Sequence, residues 1–469
     1  MTAGAIERDS PARSTATTSV DDSLAVFVAR SVVPGCVATA LVAVGAIGLG
    51  WLPMQRALLS MPVIHALQST AIGTAFAAVS LVTGIVLLMF AWLQVGNDVA
   101  RGQLSDVRRM WIALAAWSAP LVLTPPLFSR DAYSYVAQGR LFLSGHNPYT
   151  HAPSELPDWS AAGVDPLWAN TPSPYGQVFN VLARGVADIG GTNSYLSALL
   201  FRVLALVGVG LLAWAVPQLA RNYGVNPAWA LWLGVLNPLV VMHFVSGAHN
   251  DALMVGLIAA GFAFAVRRQP MLGVVLVTLA GGIKPIGLVA LPFVGLIWAG
   301  PKAPMSQIVK RWAASLVVCA AILVLLAMAT GTGFGWVNAI GTSSSVRTWL
   351  SPPTALGLTF GMIGDLAGLD LTRTLVAISR GTAAIVAGLA IAYLCLRPAD
   401  RNPVRAAGLA FLVLVILGPV VQPWYLLWSL PLLAAAGLSK RETKWVIYGT
   451  FALAAFSLAS HFLDGAGYT

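Results

Sequence analysis

TAIGTAFAAVSLVTGIVLLMFAWLQ, residues 70–94, decides the fold class, because the stretch passes without a single charge. At about 1.5 Å per residue a helix of this length spans the roughly 30 Å of a bilayer core. Similar runs recur outward from it in both directions. Thirteen candidate spans result, at about 30–54, 70–94, 110–127, 194–220, 226–246, 252–266, 270–282, 285–300, 312–331, 374–396, 406–421, 423–438 and 445–462. The pair 270–282 and 285–300 is short and reads as a tilted or incompletely spanning hairpin.

Composition agrees. The chain has 469 residues, 58% of them hydrophobic and only 9% charged, where a soluble domain carries about a quarter. A soluble enzyme, a collagen-like chain and a nucleic-acid binder are excluded, the last despite a net charge of +10. The expectation is an all-α integral membrane protein. Residues 28–469 form one membrane domain, and the polar, Ser/Thr-rich residues 1–27 form a disordered cytoplasmic tail. Cys36, Cys319 and Cys395 lie far apart in apolar runs, with neither a disulfide framework nor a metal-ligand spacing.

Charge sets the orientation. With the N-terminus in the cytoplasm, 18 of the 27 Lys/Arg fall inside and 9 outside or within the membrane. Acidic residues divide 8 inside and 9 outside, so the whole positive excess is cytoplasmic. That is the positive-inside pattern, and it accounts for the basic balance without a nucleic-acid partner. Two long outer segments follow, 128–193 and 332–373, and all six histidines fall on the outer side or near outer span ends. One working face, opening away from the cytoplasm, is implied.

Several polar motifs gather on that face. SRDAYSYVAQGR (129–140) follows the third span, and a helix over 132–144 would make Asp131 its N-cap and line up Ala132, Tyr135, Val136 and Gly139. The competing reading is a carboxylate held at the membrane surface. VDPLWANTPSPYGQVF (164–179) carries Asp165, Trp168, Asn170 and Tyr175, which suit either an ordered proline-rich loop or a sugar site. His249, Asn250 and Asp251 sit together in SGAHNDALM, at a membrane depth where ionisable groups are costly. Lys284 in GGIKP, Arg202 in the fourth span and Arg347 in an outer loop either snorkel to the interface or hold a lipid phosphate. QPWYLLW (422–428) offers Trp424, Tyr425 and Trp428 as an interfacial belt or a groove lining. A nucleotide loop, a zinc-protease motif and a nucleophile elbow are all missing from the sequence.

Taken together, RDAYSYVAQGR, HNPY, DPLWANTPSPYGQ, SGAHND, GGIKP and QPWYLLW resemble the actinobacterial polyprenol-phosphomannose-dependent α-1,6-mannosyltransferases, the MptA/MptB family of GT-C glycosyltransferases. The resemblance covers roughly residues 110–430. It implies a GT-C-type polytopic helical bundle in the plasma membrane with an extracytoplasmic site. The donor would be polyprenyl-phosphate-mannose, and the acceptor a growing phosphatidylinositol-mannoside or lipomannan chain. Asp131 matches the catalytic acidic residue of the family's early outer loop. Many relatives carry an acidic pair there, whereas Arg130-Asp131-Ala132 offers one carboxylate, so a divalent metal is possible but not favoured and no cofactor is expected.

One carboxylate suffices chemically. Converting a β-mannosyl phosphate into an α-mannoside takes a single in-line displacement, in which a base must remove the proton of the attacking hydroxyl. The leaving phosphate departs as an anion and needs no acid, unlike the alcohol released by an inverting glycosidase. The expected roles are Asp131 as base, with Asp251 as runner-up, and Lys284 and Arg347 on the donor phosphate. His249, Asn250, Asp251, Tyr175, Trp168, Tyr135, Arg140 and Trp424 would contact sugar or acceptor. A transferase of another lipid-linked sugar such as arabinose or glucose, or a flippase for such lipids, are the competing classes. A flippase would need charges near the bilayer midplane, yet spans such as 70–94 and 312–331 have none.

Overall fold

In the structure, a computed structural model, residues 24–53, 56–339, 341, 346–397 and 402–463 are described. Their regular elements are all helices, and among the described residues there is no strand element. Residues 1–23 of the expected tail lie outside the described residues, while 24–27 already belong to the first helix, α1 (Leu24–Leu49).

Six helices are long and apolar enough to cross a membrane. They are α1, α2 (Ala71–Ala100), then α6 (Ser194–Asn222), α11 (Met305–Thr330), α13 (Thr372–Leu396) and α16 (Lys440–Phe462), numbered in chain order with the shorter helices introduced below. A seventh span is obtained if Val240–Ser246 and Asp251–Val266 (α8), bent by 110° at the break between them, are taken as one. The other apolar segments are helical but shorter: α3 (Val107–Ser118), α7 (Pro227–Gly234), α9 (Pro270–Ile283), α10 (Leu291–Ala299), α14 (Pro403–Leu417) and α15 (Leu426–Ala436). A helix of the length of α9 rises only about 21 Å, short of a roughly 30 Å core. Proline at the first turn of α7, α9, α10 and α14 starts each afresh where a longer span would have continued.

Both segments expected on the outer side, 128–193 and 332–373, contain helices. The first holds α4 (Asp131–Leu143) and α5 (Gln177–Gly190), which pack on each other. The second holds α12 (Pro352–Leu366), which runs beside α13. Its apolar stretch is broken by glycines and a terminal Asp365, which hid it from a search for full-length spans.

Small residues and paired indoles tie the bundle together. Gly208 and Gly256 bring α6 and α8 backbone to backbone, since a Cβ on Gly208 would lie 2.2 Å from the Ala252 carbonyl oxygen. Trp92 and Trp232 stack, and each indole N–H donates to the other's carbonyl oxygen at 3.0 and 2.7 Å. Neither polar edge is then left unpaired in an apolar interior.

Arg202 is the most unusual member of the core. It is only 1% exposed. Its guanidinium donates to the carbonyls of Val245 and Ser246 at the end of the 240–246 helix, and to those of Val122 and Thr124 in the segment leading to α4. Both readings of this residue from sequence, snorkelling and lipid-phosphate binding, give way to that finding. A helix end inside a membrane bundle leaves carbonyls with no water to meet, and a buried arginine satisfies them.

Candidate functional site

The site is assembled at the break before α8. The 240–246 segment is a π-helical turn, a geometry found often at functional sites. It stops at Gly247, and Ala248 takes a left-handed φ of 55°, a strain of about 1–2 kcal/mol for a residue with a Cβ. The chain then turns into α8, presenting His249, Asn250 and Asp251 in succession at its start. Broken helices whose ends face a shared cavity are a recurrent means of placing polar groups inside membrane proteins.

Asp131 comes from α4. It is the first residue of the helix, and Arg130 holds the N-cap position expected for it. Its carboxylate is therefore not consumed in capping. The backbone N–H of Asp131 donates to Ser129 Oγ at 3.1 Å, while Oδ2 stands 3.4 Å from His249 Nδ1 with the side chain 18% exposed. Burial alone would raise the Asp131 pKa, but His249, the Lys284 charge and the Ser129 hydroxyl outweigh it and hold the carboxyl below its ordinary value. At neutral pH this group is an anion.

His249 is fully buried and stacks on Trp424 with centroids 3.7 Å apart. Asp251, 1% exposed, accepts through Oδ1 from Lys284 Nζ at 2.8 Å and from Trp428 Nε1 at 2.6 Å. Lys284 lies at the junction after α9, where its ammonium sits 5.1 to 5.9 Å from the ring centres of Tyr425, Trp428 and Tyr175. Three aromatic faces and one carboxylate thus hold one cation. Tyr135 donates to Asn250 Oδ1 at 3.4 Å and packs edge-on against Tyr175 and Phe179.

Of the residues singled out from sequence, the structure brings together Asp131, Tyr135, Tyr175, His249, Asn250, Asp251, Lys284 and Trp424. It does not bring Arg140, Arg347 or Trp168 to them. Arg140 lies in the last turn of α4, about 13 Å along the helix from Asp131, and donates to the Gly191 carbonyl. Arg347 is half-buried in the segment before α12, next to Val346, whose carbonyl accepts from Arg380 of α13. Trp168 closes a short turn capped by Asp165 and makes no ring contact with the cluster among the described residues. Between the two candidate bases, Asp131 is the freer, since Asp251 already holds Lys284 and Trp428. Trp428, Tyr425 and Ser129 complete the site without having been assigned to it. The four-residue step from Trp424 to Trp428, which puts both on one helical face, was the available signal.

Several buried polar atoms around this cluster have no hydrogen-bond partner among the described residues: His249 Nε2, Asn250 Nδ2, Asp251 Oδ2 and Trp424 Nε1. Burying one such atom unpaired costs about 1–3 kcal/mol. Four such atoms in one place have hydrogen bonds to offer a polar ligand. Among the described residues no group of three or more His, Cys, Asp or Glu is arranged to hold a metal ion.

Residues 32–300 match a family model described as alpha-(1->6)-mannopyranosyltransferase, N-terminal domain, of the MptA/MptB family, and residues 353–461 match the MptB C-terminal domain. The chain is 32% identical to an alpha-(1->6)-mannopyranosyltransferase of Mycobacterium tuberculosis, over 87% of this chain and 78% of that one. It is 34% identical to the alpha-(1->6)-mannopyranosyltransferase A of the same organism, over 79% and 73%. Against the alpha-(1->6)-mannopyranosyltransferase B of Corynebacterium glutamicum the identity is 33%, over 86% and 72%. No solved structure matches. The site residues fall within both matched domains, and the chain belongs to the MptA/MptB family of alpha-(1->6)-mannopyranosyltransferases.

Proposed function

We propose that the protein is an inverting mannosyltransferase that moves mannose from polyprenyl-phosphate-mannose to the 6-hydroxyl of a growing α-1,6-mannan at the outer face of the plasma membrane. The observation that carries the reading is that the 249–251 turn gathers a carboxylate and an ammonium, with Asp131 3.4 Å from His249 and Lys284 2.8 Å from Asp251. A base and a phosphate-neutralising cation are the minimum set for this displacement. Asp131 takes the acceptor proton as the hydroxyl attacks the anomeric carbon. Lys284 compensates the charge that builds on the leaving phosphate. His249 Nε2, Asn250 Nδ2 and Asp251 Oδ2 pair with sugar hydroxyls, while Tyr175 and Trp424 offer aromatic faces beside them.

In this reading the chain is a GT-C bundle with its N-terminus in the cytoplasm. The short helices complete the thirteen crossings by tilting and by local thinning of the bilayer around them. Lys284 supplies the charge that a metal would bring, so transfer proceeds without one.

Purified protein with radiolabelled polyprenyl-phospho-mannose and a short α-1,6-mannoside provides the test, run beside Asp131→Asn. Transfer by the wild type and a loss of about 10²–10⁴ in rate for an equally well-folded variant is expected. Near-normal turnover of Asp131→Asn with a dead Asp251→Asn would move the base to Asp251. An intact donor with both proteins would reject the donor.

A further inference from the structure

A cavity of about 860 Å³ lies at the end of the bundle away from the site, and its wall includes Asn222, Tyr223, Arg268, Ile297, Trp298 and Lys302. It gathers the last residues of α6, α8 and α10 and the first turns of α9, α11 and α14. From Asp251 in the site to Val266 in this wall, α8 rises about 23 Å. Two short connections close the cavity. Residues 267–269 join α8 to α9, and residues 300–304 join α10 to α11.

The charges on this wall have one sign. Arg268 and Lys302 line the cavity, and no Asp or Glu does. Among the described residues, none of the ion pairs involves either of them. A third cation, Arg311, lies 4.9 Å over the ring of Trp298, and its Nε is buried with no hydrogen-bond partner among the described residues. Arg268 and Lys302 also share a left-handed backbone, with φ of 67° and 61°. Glycine or asparagine adopts that conformation at less cost, so a long cation stands at each position against the preference of the backbone.

The surroundings are apolar and open. Met271 and Leu272 at the start of α9, and Met305 and Val309 at the start of α11, are each more than a third exposed. A soluble anion would answer the cations and leave these faces bare, whereas a phospholipid covers both. Basic pockets between membrane helices are suited to anionic head groups for this reason. We infer that the cavity binds the head group of an anionic phospholipid from the leaflet at that end. The phosphate lies against Arg268 and Lys302, and the acyl chains run along the exposed starts of α9 and α11.

The test adds phosphatidylglycerol or phosphatidylcholine with the same acyl chains to the full-length protein in detergent, and counts retained lipids by native mass spectrometry. The wild type should retain phosphatidylglycerol in preference. Arg268→Asn and Lys302→Asn each remove one charge while suiting the left-handed backbone. Each should weaken retention about fivefold, and the double variant about thirtyfold. Arg267→Gln removes the same charge from the adjoining residue, which does not line the cavity, and should change nothing. Ala303→Trp fills the cavity with both charges kept and should release the lipid as well, which decides the matter if the double variant fails to fold. An equal loss with Arg267→Gln would mean surface charge alone, and equal retention of phosphatidylcholine would mean a slot for bulk lipid. Binding of inorganic phosphate that phosphatidylglycerol does not displace would give the cavity to a soluble anion. Each of these three results overturns the inference. The readout is a mass, so it holds whichever sugar or donor the site proves to use.

Discussion

Replacing Lys284 by methionine separates its two possible duties, as counter-ion to Asp251 and as ligand for the donor phosphate. The substitution keeps most of the side-chain volume but leaves the 1% exposed Asp251 carboxylate with Trp428 as its remaining donor. Breaking a buried ion pair on one side costs about 3–5 kcal/mol. At about 2 °C per kcal/mol for a large chain, the melting temperature should fall roughly 6–10 °C. Adding Asp251→Asn removes the orphaned charge while its amide oxygen still accepts from Trp428, so the double variant should return to within about 1 kcal/mol of wild type. Transfer follows a different course. Loss of a group that stabilises developing phosphate charge costs about 10²–10³ in rate, and restoring stability does nothing to restore that charge. Thermal unfolding of the detergent-purified proteins, read beside mannosyl transfer, distinguishes the two duties. Recovery of transfer in the stable double variant would refute the phosphate-binding role of Lys284 and leave it purely structural.

Other perturbations follow from the same geometry. Because the Asp131 carboxyl is held below its ordinary value, it stays ionised as the pH falls through the usual aspartate range of about 4, so the acid limb of kcat/KM should lie below that. His249→Phe removes one of the groups that lower it and should move the limb upward, which a pH–rate profile would record. Arg202→Met strips four buried carbonyls of their donor and should destabilise by more than about 4 kcal/mol, visible as loss of monodisperse protein. Arg202→Lys should fail to rescue it, since one ammonium has three donors and no planar fork. Arg140→Ala should leave transfer within about twofold, because its partner is the Gly191 carbonyl at the far end of α4; a large loss would place the acceptor path along that helix.

Much of the site was legible because polar residues in an apolar chain are conspicuous. Asp131, the His249-Asn250-Asp251 run and Lys284 each interrupt hydrophobic sequence, and each belongs to the assembled cluster. What sequence withholds is the partner. Arg202 looks like any interfacial arginine, since its four acceptors are backbone carbonyls contributed by residues 122–124 and 245–246. Carbonyls have no residue signature. Arg140 misled for the opposite reason, since it is close to Asp131 in sequence but on the other end of the same helix. Helix identity was readable from hydropathy, whereas span number was not. Whether a helix of the length of α9 crosses alone or pairs with its neighbour depends on tilt and packing, and residue character does not encode these directly.

The broken helix explains why a charge as costly as Arg202 is kept in the core. A continuous helix through 240–266 would satisfy its own backbone and would point His249, Asn250 and Asp251 in three different directions around one cylinder. Breaking it at 247–250 brings His249 to Asp131, Asn250 to Tyr135 and Asp251 to Lys284, but it frees carbonyls in a region without water. Were donors of the site such as Asn250 Nδ2 to cap those carbonyls, they would be lost to a substrate. Arg202 takes the caps from the opposite side, on α6, and joins them to the segment that delivers α4. One guanidinium thus fixes both the turn that carries His249 and the approach of the helix that carries Asp131. The polar atoms left unpaired at the break are free for a ligand because the backbone's demand has been met elsewhere.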